Sequence, residues 1–201
     1  AADGHRVWGI DNMETGRNPI PGMLKIGSVD EPNGLDVIFR AAQPDVVVHC
    51  AAAYKDPGDW ETCARTNVTG TAEVVRAAER FGSSKLVYFQ TSLCYGLAPD
   101  SPVPVDHPLR PEGAYAMTKT LGETMVREAR VPWLSFRLAN VYGPRNLSGP
   151  VPAFYRRLSR GELCTVVDSR RDFVYVADLV RLVVPAMFSD RSGVYHVATG
   201  G

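Results

Sequence analysis

Apolar residues in this chain fall into short unbroken runs, separated by longer stretches where they recur every three or four positions. Val46-Val-Val-His-Cys-Ala-Ala52 is the clearest run, and its β-branched residues predict a strand buried on both faces. Leu86-Val-Tyr-Phe-Gln90 and Leu134-Ser-Phe-Arg-Leu138 read the same way. His5-Arg-Val-Trp-Gly-Ile-Asp11 is a shorter strand ending in an acid, and Leu24-Lys-Ile26 a possible further one. Between the runs the spacing is helical. Gly34 to Ala42 carries Leu35, Ile38, Phe39 and Ala42, and Gln43-Pro-Asp45 stops it. Asp59 to Phe81 is a long helix with Val68, Ala72, Val75, Ala78 and Phe81 near one face, closed by Gly82. A third helix starts around Tyr115 and runs to about Arg130.

Strands alternating with helices predict an α/β fold built on a doubly wound parallel sheet. After Asn140 the pattern changes. Residues 141–150 read as a loop of turn formers, and Pro152 to Arg160 as a basic amphipathic helix. Arg171 to Val176 and Val194 to Val197 read as strands around a helix near Ala177 to Phe188. The division expected is a main domain over 1–140 and part of a smaller C-terminal lobe over 141–201, whose last strand and helix return to the main domain. Ala1 to Gly4 resembles the end of a helix, and Asn12 to Pro21 is rich in turn formers.

Composition narrows the function. With 22 basic and 22 acidic side chains the net charge is zero, so no overall field favours nucleic acid or an anionic membrane. No apolar run approaches the roughly 18 residues of a membrane span. Cys50, Cys63, Cys94 and Cys164 are scattered, as are His5, His49, His107 and His196, so neither a metal site nor a disulfide framework is expected. Buried thiols in a reducing cytoplasm are the natural reading.

In doubly wound sheets, ligands sit at the carboxyl ends of the strands. Those ends bring forward Asp11 with Asn12, Ser28 with Val29, Ala51-Ala-Ala53, Thr91 after Gln90, and Asn140 after Leu138. Asp11 suits the ribose of a dinucleotide, and NAD over NADP; a plain turn aspartate fits equally well. The small side chains of residues 51–53 allow either close approach of a cofactor or tight helix packing. Tyr115 and Lys119 lie four apart in Tyr-Ala-Met-Thr-Lys, on one helix face. An ammonium beside a phenol favours the phenolate, and bringing a pKa near 10 to about 7 takes roughly 4 kcal/mol at about 1.36 kcal/mol per unit. By itself such a pair arises by chance in roughly one chain in six of this composition. With Thr91 it completes a hydroxyl, phenol and ammonium set suited to moving an alcohol proton while a cofactor takes hydride.

Asp11-Asn12, His49-Cys-Ala-Ala52, Asn67-Val-Thr-Gly-Thr71, Thr91-Ser-Leu-Cys-Tyr-Gly96, Tyr115-x-x-x-Lys119, Arg137-Leu-Ala-Asn-Val-Tyr-Gly-Pro-Arg145 and Arg171-Asp-Phe-Val-Tyr-Val176 follow in order. Together they resemble the extended short-chain dehydrogenase/reductase family, the NAD-dependent nucleotide-sugar epimerases and dehydratases. The nearest resemblance is to bacterial polysaccharide- and O-antigen-cluster UDP-sugar 4-epimerases. The resemblance implies a Rossmann-type domain, NAD as cofactor, a nucleotide-sugar substrate and a homodimer formed through the Asp59 and Tyr115 helices. It implies Tyr115 as base, Lys119 on the nicotinamide ribose and Thr91 on the substrate oxygen. Asp11, Asn12, Ser28, Val29, Ala51, Ala52, Ala53, Asn67, Gln90 and Leu138 would line the cofactor. Asn140, Arg145 and Arg171 would hold substrate, Arg171 through its two-pronged grip on diphosphate. Lys55 suits a phosphate or sugar contact and a solvated surface position alike.

Two departures bear on this. Sugar 4,6-dehydratases of the family carry Asp-Glu directly after the threonine, and here those positions are Ser92-Leu93, which favours epimerisation over elimination. A reductase or dehydratase of the same family is the alternative, and a non-catalytic dinucleotide-binding scaffold the rival of another class. The family also opens with a strand, G-x-x-G-x-x-G and a helix that binds the pyrophosphate, and no such motif occurs in these 201 residues. They are therefore expected to be part of a longer polypeptide, and to bind NAD poorly by themselves.

Overall fold

Strand β4 (Lys85–Thr91) shows how the residue pattern becomes a fold. Successive side chains of a strand point to opposite faces. Leu86 and Tyr88 join a core with Leu35, Ile38 and Phe39 of helix α1 (Gly34–Ala42), while Val87 points the other way. There it meets Leu134 and Phe136 of β5 (Trp133–Leu138) and Leu179 and Val183 of helix α6 (Val176–Met187). Both faces are covered, which is why these strands read as apolar runs rather than as alternation.

The computed structural model describes residues 4–14, 24–31, 34–56, 58–97, 102–166 and 170–200. The expected helix end at 1–3, the turns of 15–21, the loop at 98–101 and the last residue, 201, lie outside the described residues. Strands β3 (Val46–His49), β4, β5 and β8 (Gly193–Val197) form one parallel sheet in that order. Helices α3 (Gly70–Arg80) and α4 (Gly113–Arg127) pack on the α1 side. The α/β architecture with a parallel sheet is as expected, but the sheet is not continuous. β1 (Gly9–Asp11) and β2 (Leu24–Ile26) form a separate parallel pair that is not hydrogen-bonded to β3. A cavity of about 550 Å³ lies between them, lined by every residue of β1 and every residue of β3.

Three local expectations change. The 141–150 loop begins with a strand, β6 (Asn140–Tyr142), paired in parallel with β7 (Phe173–Tyr175). Three residues are too few for periodicity to announce. Ser92–Tyr95 is a 3-10 turn, and the basic helix α5 runs over Pro150–Leu158. The long helix is interrupted: α2 (Trp60–Cys63), begun by the Asp59 cap on the Thr62 amide, passes through a π turn at Ala64–Thr69 into α3. A π turn shifts the phase of everything beyond it. The buried face accordingly carries Asn67, Gly70, Thr71, Val74, Ala77 and Ala78, while Val68, Ala72 and Val75 are only partly covered.

Helix α4 approaches the π turn and β4 closely at Gly122. A Cβ there would lie 2.5 Å from the Tyr88 hydroxyl and 3.0 Å from the Asn67 carbonyl oxygen. That hydroxyl donates to the Lys119 carbonyl at 2.9 Å, so no side chain fits without breaking the bond. Gly122→Ala is expected to cost about 1–3 kcal/mol of stability, the usual penalty for overpacking, measured as a lower urea midpoint at unchanged m-value.

Candidate active site

Two cavities open at the carboxyl ends of the strands. Asp11, Asn12, Ser28, Val29, Ala51, Ala52 and Ala53 all line the larger one. Asp11 Oδ1 accepts the Met13 amide at 2.7 Å, so it is a turn aspartate with carboxylate capacity left for a further ligand. Lys55 also lines this cavity, paired with Glu14 at 3.2 Å, both side chains being half exposed. Such a pair adds little stability and yields easily to a ligand.

The smaller cavity, about 270 Å³, brings together Thr91, Tyr115, Asn140 and Arg171, with Leu138 in its wall rather than in the larger one. Thr91 ends β4 and caps the 3-10 turn, its oxygen accepting the Leu93 amide at 3.2 Å. That bond leaves the hydroxyl proton for another acceptor. Asn140 donates from Nδ2 to the Asp172 carbonyl at 3.0 Å, which fixes it beside Arg171. Arg145 does not line the cavity; it sits in the following loop with a left-handed backbone, φ 69°. Ser92 and Leu93 do line it, and among its described residues there is no aspartate or glutamate.

Three predicted residues lie beneath the cavities instead of in their walls. Asn67 is fully buried in the π turn; its side chain accepts the Ala53 amide at 2.8 Å and donates to the Ala53 carbonyl and to Thr118 Oγ1, both at 3.0 Å. It holds the 51–53 loop against α4. Gln90 is buried and accepts the Thr91 amide through Oε1 at 2.7 Å. Lys119 is 2 % exposed, its ammonium 4.0 Å above the centre of the Tyr88 ring. Residues the motif reading passed over as chemistry complete the surroundings. Tyr54 packs edge-on against Tyr115 at 6.5 Å, and Thr118 receives Asn67. The i+4 spacing of Glu123 from Lys119 was the available signal for a third buried polar group on α4.

The comparisons with known proteins agree with this geometry. Residues 1–198 match the NAD dependent epimerase/dehydratase family. The chain belongs to that family. The Bordetella bronchiseptica enzyme WbmG, crystallised with NAD and UDP, is 41 % identical with a TM-score of 0.93 over all of this chain and 66 % of that one. WbmH of the same organism, crystallised with NAD+, is 43 % identical with a TM-score of 0.94, covering 99 % of this chain and 69 % of that one. A UDP-glucose 4-epimerase of Mycolicibacterium smegmatis is 30 % identical over 210 residues, 92 % of this chain and 66 % of the relative. The chain thus spans just under two thirds of the length of that relative.

The residues present fit part of the family's cofactor. A carboxylate at Asp11 and small side chains at 51–53 suit its adenosine end, whereas Lys119, 2 % exposed, lines neither cavity. Among the described residues no glycine-rich turn enters a helix beside that cavity to hold the pyrophosphate. Charge on the pair differs from the sequence expectation. Burial is the main effect on Tyr115 and pushes its phenol up to about 12, with Tyr54 and Cys63 acting in the same direction. Burial also pulls Lys119 down to about 7. Without ligand, burial favours neutral Lys119 and keeps the Tyr115 phenol protonated.

This has a pH signature. A lysine whose folded pKa lies near 7 and unfolded pKa near 10.5 is neutral when folded and protonated when unfolded between those values. The unfolded chain then binds more protons, so stability rises with pH through that window. Raised thiols such as Cys94, ordinarily at 9.0, act oppositely above that pH, which leaves pH 7 to 9 as the interval to measure. Lys119→Met is expected to be more stable than wild type at pH 7. Its advantage should shrink by about 2 kcal/mol by pH 9, at about 1.36 kcal/mol per unit, in paired urea titrations.

Proposed function

We propose that the protein acts as an NAD-dependent nucleotide-sugar 4-epimerase on UDP-sugars. The observation that carries this reading is the composition of the 270 Å³ cavity: Thr91, Tyr115, Asn140 and Arg171 line it, and no carboxylate does among its described residues. Elimination of water from a sugar needs an acid and a base besides the one that oxidises the alcohol. Ser92 and Leu93 supply neither, whereas epimerisation needs only one proton to be taken and returned. WbmG, bound to NAD and UDP, supports a uridine nucleotide for the substrate.

In this reading Thr91 donates its free hydroxyl proton to the sugar 4-oxygen and fixes the sugar within reach of Tyr115. Tyr115 takes the 4-hydroxyl proton and later returns it to the 4-oxygen, after the 4-keto sugar has turned so that C4 presents its other face for the hydride. Bound NAD supplies the hydride acceptor and then the donor, and in its oxidised form the positive charge that Lys119 alone does not provide. Arg171 grips the diphosphate in a two-pronged hydrogen bond and Asn140 orients it. The enzyme works as a homodimer: Trp60, Met117 and Leu121 leave apolar surface on the helices expected to pair. Among the described residues no helix is long and apolar enough to cross a membrane.

The test is a panel of UDP-sugars incubated with the full-length protein, with the anomeric protons followed by NMR. Interconversion without net consumption of NAD is expected; stoichiometric NADH oxidation would replace the epimerase by a reductase. Tyr115→Phe should keep NAD affinity within about twofold while kcat falls at least about 100-fold, the lower range for loss of a general base. A variant with wild-type turnover would sink the assignment.

A further inference from the structure

Beneath both cavities, and lining neither, lies a buried polar cluster centred on Arg137 of β5. Its guanidinium donates from Nη2 to Glu123 Oε2 at 2.7 Å and from Nε to Glu123 Oε1 at 3.2 Å. Ser135 Oγ donates to the same carboxylate at 2.6 Å. On its other side Nη1 donates to Tyr95 Oη at 2.6 Å and to the Val105 carbonyl at 2.8 Å. Tyr95 Oη in turn lies 2.5 Å from His196 Nε2 of β8. The phenol proton has two acceptors in reach, the imidazole nitrogen at 2.5 Å and the Val105 carbonyl at 3.3 Å. Tyr95 and Arg137 are each under 5 % exposed.

The cluster joins the two halves of the proton-transfer set. Glu123 lies one helical turn beyond Lys119 on the α4 face that also carries Tyr115. Tyr95 ends the 3-10 turn that Thr91 begins. The far end of that turn is pinned as well. The Arg110 amide donates to the Cys94 carbonyl at 2.9 Å, and Gly96, at φ 66°, has no room for a Cβ against the Arg110 carbonyl. A buried ion pair of this kind contributes little net stability over well-packed apolar side chains of the same volume, but it fixes directions.

We propose that Tyr95 is a positioning residue: through Arg137 and Glu123 its hydroxyl sets the place of the Thr91 turn relative to Tyr115 across the substrate cavity. It touches no substrate. The inference rests on the reading that Thr91 and Tyr115 carry the reaction. Loss of the Tyr95 hydroxyl frees the turn by a fraction of an ångström to an ångström, and misplacements of that size cost about 10- to 100-fold in rate.

Tyr95→Phe in the full-length enzyme deletes one oxygen and leaves the ring and the Arg137–Glu123 pair in place. We expect kcat to fall about 10- to 100-fold, with KM for the UDP-sugar and NAD affinity within about twofold. In a Thr91→Ala background the same change is expected to cost nothing further, because the group being positioned is gone. A merely structural Tyr95 would act equally in both backgrounds. His196→Gln, whose amide can accept from or donate to the Tyr95 hydroxyl, should keep kcat, and His196→Leu should lose it. Wild-type kcat in Tyr95→Phe, an additive loss on Thr91→Ala, or equal kcat in the two His196 variants would overturn the proposal. Each is decisive provided Tyr115→Phe is inactive; an active Tyr115→Phe removes the underlying reading instead, and the positioning role with it.

Discussion

Helix α4 presses three polar side chains, Thr118, Lys119 and Glu123, into the dry layer against the π turn, β4 and β5. A buried polar group without partners costs about 1–3 kcal/mol, and a buried charge more. Each of the three is met differently. Asn67 reaches Thr118, and Arg137 with Ser135 holds Glu123. Lys119 finds the face of the Tyr88 ring, and no carboxylate stands within ion-pair distance of it among the described residues. Two of the solutions are mechanical ties; the third is a lysine whose charge burial disfavours.

The ties make the site rigid. Asn67 can serve α4 and the 51–53 loop at once because the π turn carries it to the buried face. π turns recur at functional sites, and here the reason is visible in the bonds that one amide makes. Arg137 does the same on the other side of α4, binding the helix to the loop at Val105 and to the Thr91 turn. Tyr115 and Thr91 therefore stand on a helix and a strand end that neighbouring side chains hold in place. That is what a reaction sensitive to ångström displacements requires.

The untied charge accounts for the electrostatics. Burial raises the phenol of Tyr115 and lowers Lys119, so the free protein keeps that phenol protonated. A site of this kind stores desolvation that a ligand's charge can relieve, and binding and activation become one event. Among the described residues no carboxylate lines the smaller cavity, and one phenol can shuttle one proton and no more.

Much of this was legible along the chain. Strands β4 and β5 announced themselves as apolar runs because a strand covered on both faces tolerates little else. The β-branched run of β3, expected to be buried, is only partly covered, with Val48 40 % exposed beside the larger cavity. The carboxyl ends of those strands delivered Asp11, Ala51 to Ala53, Thr91 and Asn140, and the i+4 rule delivered Tyr115 with Lys119, all from local spacing. Local spacing did not reveal the π turn, the short β6–β7 pair or the break between β1 and β3, which depend on contacts between distant segments. Nor did it reveal that Asn67, Gln90 and Lys119 line neither cavity, or that burial raises the Tyr115 phenol. Sequence alone determined which chemical groups are present and on which elements they ride. Their protonation and their partners were decided only in the tertiary structure, because desolvation is a property of the packed neighbours and not of the residue.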